Sequence, residues 1–169
     1  MSDLLSLTNF NGFLRSGQLG KIHLRTSKQE IFHFLGEPVF SNVENWEISN
    51  QTMTNLYYDS FLITMLDEDI AQITIYFRKN YEISKTLFNA LDIDWYHLLR
   101  TIEPDQLQRY LISEGIRFLL LFPPDNNRDV TRYWIEKSQI QITFSEMNQQ
   151  LDSIRVLSSF PSNWILSNP

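Results

Sequence analysis

Cysteine is absent from this chain, which excludes disulfide frameworks, thiolate metal sites and cysteine nucleophiles. Histidine is scarce, and neither His23, His33 nor His97 shares a helix with a second ligand at metal-binding spacing. The five glycines form no phosphate-cradling pattern, and no serine stands in a nucleophile-elbow sequence. Asp67-Glu68-Asp69 lacks the glycine and the following oxygen ligands that a calcium loop needs. No cofactor or metal is therefore expected. Long apolar runs are missing too, since nothing reaches the roughly 18–20 residues of a membrane span. Met1-Ser2-Asp3-Leu4-Leu5 has neither a basic region nor an unbroken apolar stretch, so the expectation is a soluble, cytoplasmic protein. Positive charge is short as well, with 14 Lys and Arg against 20 Asp and Glu and a net charge of −6. That balance repels nucleic acid and anionic membranes at long range and permits a basic partner.

What the chain does have is apolar and aromatic material. At 169 residues, 43% hydrophobic and 14% aromatic, it can bury a core as one domain or as two small fused units. The stretch from Ile22 to Phe77 defines the unit. Ser27 followed by Glu30 is a capping box that starts a helix near Lys28, and Ile31, Phe34 and Leu35 share one face of it. Gly36 suits the left-handed residue after the last turn, and Pro38 prevents continuation, so the helix ends by Leu35. A hairpin follows, with Phe61, Ile63 and Met65 alternating with Leu62, Thr64 and Leu66. Asp67-Glu68-Asp69 turns the chain, and Ile73, Ile75 and Phe77 alternate with Thr74 and Tyr76. Two strands with one strongly apolar face require helices against that face.

Elsewhere, Leu4, Leu7, Phe10 and Leu14 predict an amphipathic helix from about Leu4 to Arg15, with Asp3 as its cap and Gly17 as its stop. Pro38 to Gln51 reads as a polar loop that carries a strand near Trp46. Leu87, Phe88, Leu91, Trp95, Leu98 and Leu99 form a helical stretch interrupted around Asp92 to Asp94. Pro104 opens another helix, with Leu107, Tyr110 and Leu111 on one face and Gly115 as its stop. Phe118 to Phe122 is a continuous apolar run that reads as a strand buried on both faces. Tyr133 to Ile135, then Ile140, Ile142 and Phe144, then Leu151, Ile154 and Val156 repeat the hairpin logic. The interval from Leu35 to Leu111 nearly equals those from Met65 to Phe144 and from Ile75 to Ile154. The expected fold is thus α+β, an antiparallel sheet with helices packed on one face. It is a tandem duplication of a helix-helix-hairpin unit, 1–80 and 81–169, in one compact structural domain.

The run Thr26-Ser27-Lys28-Gln29-Glu30-Ile31-Phe32-His33-Phe34-Leu35-Gly36-Glu37-Pro38, an aromatic-bearing loop, and the strands Phe61 to Leu66 and Ile70 to Phe77 together resemble a known unit. It is the helix-plus-hairpin unit of the outer-membrane assembly lipoproteins, doubled in the beta-lactamase inhibitor protein. The resemblance implies helices on one face of an antiparallel sheet, with the other face or its loops free for protein partners. The chain departs from those lipoproteins in having no cysteine to accept a lipid. A looser resemblance is to intracellular immunity proteins that neutralise toxins, which are also small and acidic.

Two functional readings follow. In the first, the chain is a non-enzymatic protein-binding or inhibitory module of the immunity type. Its contact surface is the sheet face turned away from the helices, which carries Tyr58, Leu62, Thr64, Leu66, Thr74 and Tyr76, with Gln141, Thr143, Arg155 and Leu157 from the second unit. Tyr58, Leu62, Thr64 and Tyr76 are the expected partner-binding residues, tyrosine being a common interface anchor. A C-terminal segment carrying Phe160, Trp164 and Ile165, or a second subunit in a homo-oligomer, is the other way that face becomes covered. In the second reading, Asp92 and Asp94 beside Trp95 and His97 do acid-base work at a small-ligand or enzyme site, against the simpler role of helix capping for the two aspartates.

Overall fold

The computed structural model describes residues 8–46, 51–77, 83–122, 130–145, 148–159 and 165–167. Helices α1 (Thr8–Ser16) and α2 (Lys28–Leu35) precede strands β1 (Phe40–Trp46), β2 (Gln51–Tyr58), β3 (Phe61–Leu66) and β4 (Asp69–Tyr76). Helices α3 (Lys85–Leu91), α4 (Tyr96–Leu99) and α5 (Pro104–Ser113) then precede β5 (Leu119–Phe122), β6 (Val130–Ile135), β7 (Ile140–Ser145), β8 (Leu151–Leu157) and β9 (Ile165–Ser167). The strands form one sheet in the order β1-β2-β3-β4-β8-β7-β6-β5-β9. Every neighbouring pair is antiparallel, and the fold is α+β.

Local chemistry accounts for most elements. The Ser27 hydroxyl accepts the Glu30 amide while the Glu30 carboxylate accepts the Ser27 amide at 2.9 Å, closing the capping box that starts α2. Hydrogen bonds from Ser27 hold the Glu30 carboxyl below its usual range. Gly36 ends the helix at a φ of 77°, which only glycine adopts without strain. Asp67, at a φ of 54°, turns β3 into β4. Pro104 stands at the start of α5, and Gly115 follows its end in a left-handed conformation. α3 stops at left-handed Asp92 and α4 begins at Tyr96, so the interruption expected between them is real.

The strand expected near Trp46 is β1, which reaches back to Phe40 and pairs with the unexpected β2 from Phe40↔Tyr57 to Trp46↔Gln51. β2 departs from the alternation that marks a half-buried strand: Thr54 faces the core opposite Met65, while Met53 and Tyr57 stand on the other side. β1 is the edge strand of the described sheet, with Phe40, Ser41, Val43 and Glu44 exposed. Asp3, Leu4 and Leu7 at the start of the first expected helix lie outside the described residues.

The two halves of the sheet meet at β4 and β8, and their geometry repeats. A bulge interrupts β3·β4 between Thr64 and Met65, and a matching one interrupts β7·β8 between Thr143 and Phe144. Aligned on these bulges, Ile73 corresponds to Ile154, Thr74 to Arg155 and Ile75 to Val156. Across the seam Ile73 pairs with Val156 and Ile75 with Ile154, so that exchanging each residue for its counterpart turns one pair into the other. A local two-fold axis therefore passes through the Thr74·Arg155 pair. Ile75 and Ile154, equivalent by their interval in the sequence, are seam partners, because the chain from Phe144 to its partner Leu151 is longer than that from Met65 to its partner Ile70.

One core spans both halves. Ile63, Ile73 and Ile75 from the first half share it with Ile140, Ile142 and Ile154 from the second. α1, though first in the chain, lies against the second half: Phe10 packs 5.0 Å from Trp95 and 5.8 Å from Tyr110, ring centre to ring centre. The Arg15 guanidinium donates to the Glu114 carbonyl at 2.6 Å, and the Ser138 hydroxyl donates to the Leu14 carbonyl at 2.6 Å. Gly17, at a φ of 70°, makes this approach possible, since a Cβ there would lie 2.7 Å from the Ser138 carbonyl oxygen. No helix among the described residues is long and apolar enough to cross a membrane.

Candidate functional site

The helices contribute their buried residues to the core on one face of the sheet. Cross-strand pairing places Leu62, Thr74, Arg155 and Gln141 in one row on the other face, with Tyr76, Ser153, Thr143 and Arg132 in the next. Thr64, Leu66 and Leu157 stand on that outer face as expected.

Tyr58 does not. It pairs with Phe61, and directly opposed residues of an antiparallel pair point the same way, so its ring enters the core and is only 2% exposed. Its hydroxyl donates to the Gly36 carbonyl at 3.1 Å, tying β2 to the end of α2. Burial, reinforced by the nearby Glu37 charge, pushes the phenol well above its ordinary range. The two-residue turn Asp59-Ser60, with Asp59 left-handed, carries Tyr58 to the inner side and leaves Tyr57 on the outer one. Alternation gives the faces within β3 and β4; the turn length between β2 and β3 decides the face of Tyr58.

The outer face is not an open apolar surface. Thr74 and Ser153 are fully buried, and Gln141 is 3% exposed. Leu62, Leu121 and Trp134 are buried without belonging to the core cluster. Neighbouring side chains satisfy much of its polarity, with Thr64 donating to Asn55 at 2.8 Å, Gln72 to Thr74 at 2.7 Å and Gln141 to Thr143 at 3.2 Å. Over the second half this face carries a cavity of about 290 Å³, lined by Arg132, Gln141, Thr143, Asp152 and Arg155 between Val130 and Ser145. Phe160 and Trp164, the alternative cover for the face, lie outside the described residues; β9 pairs with β5 at the sheet's far edge.

No protein-family model, curated protein or solved structure matches this chain. The site must be argued from its own geometry.

The cluster around His97 has a structural explanation. Asp92 and Asp94 both accept from the Asn9 side chain, at 3.2 and 3.3 Å, which fastens α1 to the start of the second half. Trp95 is buried between Phe10 and Phe13, while His97 is exposed with its ring stacked 5.4 Å from Phe88. The four residues thus diverge into two separate environments. Among the described residues no group of three or more His, Asp or Glu side chains is placed to hold a metal ion.

The residues that the sequence reading passed over are at the other edge. β1 has a single neighbour in the sheet, so one row of its backbone amides and carbonyls meets no strand among the described residues. Val39 is 78%, Phe40 59% and Val43 62% exposed, and Phe40 rests 5.5 Å from Tyr57 on the outer face. Glu37 and Glu44 are exposed beside them. The three apolar residues are visible in the sequence, but within a segment that reads as a loop they give no sign of lying along one strand edge.

Proposed function

We propose that the chain is a non-enzymatic protein-binding module, and that it receives an extended, basic segment of another protein along the free edge of β1. The observation that carries this is the row of β1 backbone groups that meets no strand among the described residues, with Val39, Phe40 and Val43 out in solvent. Proteins normally protect such an edge with lysine, proline or a bulge, and an unprotected one is a template for strand addition. Backbone pairing would supply affinity, and the Phe40·Tyr57 pair would anchor alternate side chains of the incoming strand. Glu37 and Glu44, in a chain of net charge −6, favour a basic segment. The expected contact residues therefore move from the outer-face set around Tyr58 and Leu62 to the edge beside them. The recurrence of the bulge and the local two-fold axis support the further proposal that the halves descend from one duplicated unit.

The test is the double variant Phe40→Ser, Val43→Lys. Both side chains are exposed, so the variant should fold as the wild type does, with a stability change within about 0.5 kcal/mol. A partner isolated from the native cell with the wild type is purified and its Kd measured against both proteins, while amide hydrogen exchange is followed in β1. The expected result is slowed exchange in β1 on binding and a Kd raised by tenfold or more, ~1.4 kcal/mol, in the variant. Equal affinity in the folded variant, or protection elsewhere, would reject the edge.

A further inference from the structure

We infer that the cavity on the outer face of the second half is a binding site for a small carboxylate, with Arg155 as its anchor. Arg155 stands on the local two-fold axis at the centre of the sheet, opposite Thr74 and Gln141. Its Nε is buried and has no hydrogen-bond partner among the described residues. A buried charged-group donor left unpaired is costly, and such orphans mark either a strained site or a place where a ligand completes the bonding.

The comparison of the two halves says which. Under the correspondence fixed by the bulges, the cavity residues Arg132, Gln141, Asp152 and Arg155 occupy the positions of Asn55, Leu62, Ala71 and Thr74. The same framework thus stands without charge at these four positions in the first half and carries three charged groups in the second. The extra charge is not needed to build the sheet. The second bulge brings Asp152 and Ser153 onto one strand position, adding a carboxylate to the cavity wall. Arg132 and Arg155 are rooted two strands and one row apart, roughly 12 Å from sheet spacings, and both line the cavity.

Ligand class follows from charge and shape. Two guanidinium groups line the wall, which favours an anionic ligand, and a planar carboxylate is the anion that a single guanidinium engages by two parallel bonds. A guanidinium presents Nε–H and Nη–H as a planar fork that matches a planar carboxylate. The Thr143 and Ser145 hydroxyls line the same cavity and can pair with a hydroxyl on the ligand.

The experiment is a titration of the full chain, ¹⁵N-labelled, with sodium lactate, sodium succinate, sodium phosphate and sodium chloride at matched ionic strength. The readout is the Nε–H signal of Arg155 in the wild type. Lactate should shift that signal saturably, and more strongly than phosphate or chloride. Arg155→Lys, which keeps the charge but loses the fork, should raise the half-saturating lactate concentration about tenfold, the loss of one charge-assisted bond, with an unchanged circular dichroism spectrum. A larger response to phosphate, an equal response to chloride, no response to either carboxylate, or undiminished binding by the folded variant would each overturn the assignment. If Arg155→Lys does not fold, the wild-type signal decides the question alone.

Discussion

Tyrosines on the core side of the sheet tie strands to helix ends. Tyr58 donates to the Gly36 carbonyl, and Tyr133 donates to the Pro104 carbonyl at 3.4 Å. Burial raises both phenols, with Asp105 adding to the effect at Tyr133, which is pushed up to about 12. The folded protein therefore keeps both protons at a pH where the unfolded chain releases them, so stability is fully present below pH 10.0, the ordinary tyrosine value, and falls as pH rises through the folded values. Tyr58→Phe should lose about 1 kcal/mol at neutral pH with its hydrogen bond, yet show a shallower decline between about pH 10 and 12. Urea unfolding at several alkaline pH values measures both quantities. An identical alkaline slope in wild type and variant would mean that Tyr58 ionises equally in the folded and unfolded chains.

Among elements, those with a strong period were legible and those without were not. α2 could be placed to the residue because its capping box, apolar face and terminal glycine agree. β3 and β4 could be placed because Ile63, Ile73 and Ile75 alternate without a break. Ile75 is 1% exposed in the middle of that pattern, so Ile75→Asp would bury an unpaired carboxylate and should cost several kcal/mol, seen as a large drop in Tm. An unchanged Tm would contradict the inward assignment of the whole strand. Of β1 only the end near Trp46 was legible, and β2 was hidden because polar Thr54 faces inward while Met53 and Tyr57 face out. The outer-face cavity was hidden for a different reason. Its residues come from β6, β7 and β8, and Asp152 reaches the cavity beside Ser153 through a bulge that period-two reading cannot register.

For the molecule as a whole, the boundary drawn at the end of the first hairpin does not separate two cores. α1 belongs by sequence to the first half and by packing to the second, and the isoleucines of both halves of the sheet share one interior. Denaturant unfolding should accordingly be a single transition, with circular dichroism and tryptophan fluorescence superimposing. Two resolved transitions would show that the halves melt independently. The seam between β4 and β8 bears on how the chain comes off the ribosome. β4 is complete at Tyr76, while β8 begins at Leu151, and at roughly 5–20 residues per second that interval lasts on the order of 4–15 s. During it, the central strand of the finished protein is an open edge carrying Ile73 and Ile75. The β8 of a neighbouring nascent copy presents the same pairing register, so crowding of translating ribosomes favours exchanged dimers, and slow synthesis between the halves lengthens the interval in which exchange occurs.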